Sequence, residues 1–99
     1  MDKMDDKELI NNYITTHVNY NESYDEKMVL FTKYTRIRNR CDAKPFFFSD
    51  TRDVKIKCYT DMLNACIEYD NKRKLTKQLD DLKDKYYYEL KKRNYHLTI

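Results

Sequence analysis

The sequence predicts a small all-α domain: a compact four-helix fold with short connections. Three observations predict it. The 99 residues contain no Gly and a single Pro, Pro45. Apolar side chains recur at helical spacing through most of the chain. No segment shows the period-two alternation beside turn residues that marks strands. The length allows one domain, residues 1–99, with an acidic leader over residues 1–8. An apolar share of 40%, ten of these residues being Tyr, suffices for one modest core. An elongated three-helix arrangement is the alternative.

The first helix is expected to open at Asp5, because Asp5 and Glu8 have capping-box spacing. Leu9, Ile10, Tyr13, Ile14 and Val18 form its apolar stripe, and Asn19–Asn21 is the expected stop. Ser23 to Glu26 reads as a second capping box. Behind it Met28, Phe31, Tyr34, Ile37 and Cys41, with Leu30, make one face of a second helix, opposite Lys27, Lys33, Arg36, Arg38 and Arg40. That helix must end before Pro45. Asp42–Ser49 reads as a loop in which at least two of Phe46, Phe47 and Phe48 should fold back on helices, with Ser49 or Asp50 capping a third helix. From Val54 the spacing of Cys58, Met62, Cys66, Tyr69, Leu75, Leu79, Leu82, Tyr86 and Leu90 fits one continuous helix or two. The polar run Asp70–Lys74 favours a break near Glu68–Lys74. Leu75, Leu79, Leu82, Tyr86 and Leu90 also step by fours and threes, as a coiled-coil seam does.

Enzymatic function is not expected. P-loops, dinucleotide fingerprints and nucleophile elbows all need Gly where the backbone turns sharply or meets a ligand. His17 and His96 lack a Ser or Cys partner by spacing, and the acids of Asp5-Asp6 and Asp80-Asp81 diverge around a helix. No cofactor or metal is indicated. Cys41, Cys58 and Cys66 are odd in number and form no C-x-x-C, which reads as three thiols of a reducing, cytoplasmic protein. No apolar run approaches a membrane span and the N-terminus lacks a signal peptide. Abundant Asn, Lys, Tyr, Ile and Asp fit an AT-rich genome, viral ones included.

Charge is uneven. Residues 1–26 hold seven acids and two lysines, net −5, so a chain of net +3 carries +8 over residues 27–99. Two basic clusters follow, Arg36, Arg38 and Arg40 and then Lys91, Lys92 and Arg93, as candidate contacts for a nucleic acid or an acidic protein surface.

The order of motifs resembles that of the acyl-CoA-binding protein family over residues 25–86. Asp25-Glu26-Lys27-Met28, followed by Phe31 and Tyr34, is similar to the family's second helix. Pro45 and then Lys55-Ile56-Lys57-Cys58-Tyr59 stand for its Pro-containing loop and third helix. Leu79-Asp80-Asp81-Leu82-Lys83-Asp84-Lys85-Tyr86 is similar to its last helix. Departures include Thr35 in place of a phosphate-binding Lys and Leu75 where the last helix contributes a further Tyr. The resemblance implies a non-catalytic carrier of long-chain acyl-CoA esters. Met28, Phe31, Tyr34, Lys55, Lys57 and Leu75 would then form the ligand site, with the lysines and Tyr34 on phosphate. The alternative is a small helical interaction module that docks another protein or a nucleic acid through basic, Tyr-rich faces.

Overall fold

The computed structural model describes residues 1–43 and 52–96, with the backbone alone at residues 42 and 43. These residues form two long helices: α1, Asp6–Ala43, and α2, Arg52–Lys92. The chain is all-helical, but it is not a compact four-helix domain, and the three-helix alternative falls with it. The turns expected at Asn19–Asn21, at Ser23–Glu26 and near Asp70-Asn71 all lie inside continuous helix. The expected Phe46–Phe48 loop and the Ser49 or Asp50 cap lie outside the described residues.

The physical reason is that polar residues end a helix only when something better is on offer. With no Gly or Pro inside α1 or α2, each residue is a tolerable helix former costing a few tenths of a kcal/mol, ~0.7 at most. The polar side chains find partners without leaving the helix. Asp70 holds Arg73 at 2.7 Å, and Lys72 reaches Glu26 at 2.6 Å. The ends themselves are well marked. Asp5 Oδ1 accepts from the Glu8 amide at 2.7 Å, the cap expected there. At the other end Asn94 takes φ 67°, the Tyr95 amide donates to the Leu90 carbonyl and the Asn94 amide to that of Lys91. This is a Schellman cap with Asn in the position Gly usually fills.

Both helices bury residues at alternating steps of four and three. In α1 these are Leu9, Tyr13, Thr16, Tyr20, Ser23, Lys27, Leu30, Tyr34, Ile37 and Cys41, all buried or half-buried. In α2 they are Cys58, Met62, Ala65, Tyr69, Lys72, Thr76, Leu79, Lys83, Tyr86 and Leu90, likewise. These are the a and d positions of a heptad repeat, with Tyr13, Lys27 and Cys41 at a in α1 and Met62, Thr76 and Leu90 at a in α2. The seam expected at Leu75, Leu79, Leu82, Tyr86 and Leu90 is therefore corrected. Leu75 and Leu82 are 43% and 37% exposed, and Thr76 and Lys83 take the inward positions.

The chain divides into two compact units, Met1–Tyr24 with Lys74–Ile99, and Asp25–Arg73. In the first, Leu9, Tyr13 and Leu90 form the core, with Met4, Ile10 and Tyr86 packed against it. Farther along its seam the contacts turn polar. Ser23 Oγ and Thr76 Oγ1 share a buried 2.7 Å hydrogen bond, and the Lys83 ammonium stands 4.2 Å above the Tyr20 ring. A clasp closes the far end. Arg93 donates to the carbonyls of Met1 and Met4 and to the Asp6 and Glu89 carboxylates, while the Tyr95 hydroxyl donates to Asp6 at 2.9 Å. In the second unit, Phe31 packs on Tyr69 with ring centroids 5.4 Å apart, Ala65 is buried, and Cys41 is bonded to Cys58. In each unit, contacts pair rising numbers on α1 with falling numbers on α2, so the helices run antiparallel.

Two outcomes check this packing. Leu90→Ala should cost about 2–5 kcal/mol in urea unfolding, as loss of a buried Leu does. Leu75→Ala and Leu82→Ala should each cost under about 1 kcal/mol. The clasp gives the second. The hydroxyl of Tyr95 first, then the Arg93 guanidinium, hold the Asp6 carboxyl below its ordinary 3.8. Its contribution is thus present above pH 3.8 and is lost as pH falls through the lower folded value. Tyr95 is pushed above 10.0 by the same bond, so its share fades only as pH rises through that raised value. A carbon-13 titration of Asp6 should show a midpoint below 3.8 that moves back up in Tyr95→Phe. An unchanged midpoint in the variant would contradict the clasp.

Candidate interaction surface

The heptad positions decide which faces of the Asp25–Arg73 unit are closed. Lys33 and Glu68, both at g, pair at 3.3 Å, and Arg40 and Asp61, also at g, approach to 4.0 Å. Glu26, a third g residue, takes Lys72. These ion pairs are solvent-exposed and contribute about 0.2–1 kcal/mol each, but they fix the geometry. With g facing g on one side, the e positions of both helices flank the seam on the other.

On that e side several large apolar side chains are open. Phe31 at e and Met28 at b on α1 are each 42% exposed. On α2, Tyr59 at e, Ile56 and Leu63 at b and Ile67 at f are 48%, 50%, 59% and 51% exposed. Ile56, Tyr59, Leu63 and the half-buried Cys66 step by three, four and three, a second seam beside the first. Meanwhile two lysines, Lys27 and Lys72, occupy inward positions. The unit thus leaves large apolar groups in water while placing ammonium stems inside. Burying a Leu, Ile or Phe is worth roughly 1.5–3 kcal/mol, so this surface is costly to leave uncovered.

The residues expected to hold an acyl-CoA are distributed along the helices. Met28 and Phe31 lie on the open face, and Tyr34 is half-buried at seam position a. Lys55 and Lys57 are exposed near the start of α2. The bonded Cys41–Cys58 level sets the register, so Lys57 lies about 12 Å along the helix axis from Tyr34 at ~1.5 Å per residue. Leu75, exposed, belongs to the other unit. A groove of about 450 Å³ in this unit is lined by Val29, Thr32, Lys33, Arg36 and Ile37, all from α1.

The basic clusters are likewise dispersed. Arg36 and Arg40, at c and g, share one side of α1, Arg38, at e, lies on the other, and Arg40 meets Asp61. Lys91 and Lys92 are exposed, but Arg93 is consumed in the clasp. Of the three consecutive phenols, Tyr86 is half-buried, Tyr87 is 39% exposed and Tyr88 65%. His17 is half-buried beside Tyr13, its buried Nδ1 without a hydrogen-bond partner. Among the described residues no group of His, Cys, Asp and Glu is arranged to hold a metal ion. No helix among them is long and apolar enough to cross a membrane.

Two residues were read differently in the sequence. Cys41 and Cys58 are bonded, with Cα atoms 5.9 Å apart, within the usual span for bridged pairs. The expectation of three thiols is corrected to one bridge and one free thiol, Cys66. The cue lay in the seam, because both cysteines occupy inward positions on facing helices. Spacing along the chain, 17 residues, carries no such cue.

No family model, curated protein or solved structure matches this chain.

Alkylation without reductant should label Cys66 alone, and all three cysteines after reduction. Paired replacement of Cys41 and Cys58 by Ser should lower stability by about 3 kcal/mol, the entropy of closing a loop of this size. Three alkylated thiols in the native, unreduced protein would contradict the bridge.

Proposed function

We propose that this chain is a non-catalytic interaction module, a pair of antiparallel helices that docks a polypeptide through the open apolar face of Asp25–Arg73. One observation carries the reading: Ile56, Tyr59, Leu63 and Ile67 lie about half exposed beside a seam that holds Lys27 and Lys72. An exposed apolar patch of this extent on a small protein marks an interaction site. Its three-and-four spacing is the one a partner helix reads.

The carrier reading loses the four-helix frame on which it depended. Its lysines and Tyr34 are also spread along the helices rather than gathered on one phosphate. A nucleic-acid reading needs a continuous basic stripe, whereas Arg38 lies on the other side of α1 from Arg36 and Arg40, and Arg40 stands against Asp61. The working compartment is tied to the bridge. Cytosolic reductants keep thiols open, so the cytoplasmic location read from the sequence requires Cys41 and Cys58 unpaired. The bonded pair supports an oxidising compartment instead.

A photoreactive residue placed at position 63 or at position 33 tests the docking reading in the native cell. Position 63 should give polypeptide adducts and position 33, on the ion-paired side, should not. Absence of adducts from 63, with calorimetric heat from palmitoyl-CoA that Lys57→Glu abolishes, would favour the carrier.

A further inference from the structure

The open face of Asp25–Arg73 has a specific occupant: we infer that it is a second copy of this chain, packed by the same face to make a four-helix contact about a two-fold axis. This deepens the docking reading and rests on it.

Charge balance is the first argument. Among the described side chains at b, e and f of this unit, Asp25, Asp53 and Asp70 stand against Arg38, Arg52 and Arg73. A chain of net +3 has thus gathered a neutral set of charges around its apolar face. A two-fold contact sets a surface against itself, so like charges in excess would repel. A surface for nucleic acid or an acidic protein has no reason to carry three carboxylates.

Symmetry along α2 is the second argument. Leu63 is the most exposed of the α2 apolar residues on this face. Asp53 and Arg73 lie ten residues on either side of it, and Tyr59 and Ile67 four residues on either side. Antiparallel copies of α2 crossing at Leu63 would therefore set acid against base at the ends and apolar against apolar within. Arg73, already bonded to its own Asp70, is pre-oriented on that face.

Area is the third. Six large side chains about half exposed amount to on the order of 600 Å² per copy. Two copies would then bury on the order of 1,200 Å², the lower bound of specific interfaces. The inference is accordingly a reversible dimer rather than a permanent one. The free thiol of Cys66 lies three residues from Leu63, on the covered side.

Light scattering over a dilution series of the purified, bridged protein tests this. The wild type should approach twice 12.2 kDa at high concentration. Leu63→Lys should raise the dimer dissociation constant about 100-fold, because it places two ammonium groups at the axis. Its circular dichroism should stay helical, since Leu63 is exposed within the monomer. Val29→Lys, on the opposite side of α1 and 68% exposed, should leave the dimer intact. A monomer at every concentration, or a dimer that Leu63→Lys leaves unchanged, overturns self-pairing. Cross-linking from position 63 to a different polypeptide alone also overturns it while leaving the docking reading standing.

Discussion

Two facing helices bury whatever side chains their shared repeat turns inward, and in this protein six of the twenty inward positions are Thr, Ser or Lys. Thr16, Ser23, Lys27, Lys72, Thr76 and Lys83 occupy positions that an ordinary antiparallel pair would fill with Leu or Ile. Each needs a partner to be tolerated there. Ser23 and Thr76 satisfy one another, Lys83 rests on Tyr20 and Lys72 on Glu26. Such contacts specify which residues face each other more than they stabilise, because a satisfied hydrogen bond is worth only about 1 kcal/mol net. Among the described residues the buried apolar side chains are few: Leu9, Tyr13, Cys41, Ala65 and Leu90. The covalent bridge and the Arg93 clasp matter more in a protein with so thin a core.

Several parts of this architecture are visible in the sequence. The cap at Asp5 is read correctly because it depends on local spacing alone. The all-helical character follows from the absence of Gly and from the period of the apolar residues. The number of helices is misread because Asn19–Asn21, Ser23–Glu26 and Asp70-Asn71 have the composition of turns. Composition measures what a turn would tolerate, not whether the chain gains by turning. Ser23 shows the difference: alone it resembles a cap, yet opposite Thr76 it is a seam residue. Leu75 and Leu82 mislead similarly. They match an apolar seam by type, while the helix turns their neighbours Thr76 and Lys83 inward. Only the partner helix reveals that the seam lies one residue further on.

The candidate surface was half legible. Met28 and Phe31 are visible through a family resemblance and lie on the open face, with Phe31 against Tyr69 rather than beside Lys55 and Lys57. Ile56, Tyr59 and Leu63 are not legible as a face, because the periodicity from Cys58 to Leu90 marks only the inward stripe. A second stripe one position away is detectable only once the first has been assigned. The basic clusters had the opposite fate. Arg36, Arg38 and Arg40 are close in number, but alternate residues on a helix diverge, so Arg38 is turned away from Arg36 and Arg40.

The Cys41–Cys58 bond also changes how the molecule would bear load. Residues 42–57 lie inside a covalent ring, so tension along the chain crosses from Cys41 to Cys58 through the sulfurs and bypasses them. At ~3.3–3.6 Å per extended residue, the bypass withholds on the order of 50 Å of contour length. A docked partner pulling on either helix would draw on the other directly. Reduction would route the load through residues 42–57, so the coupling would lengthen as the adjoining ends of α1 and α2 unwind.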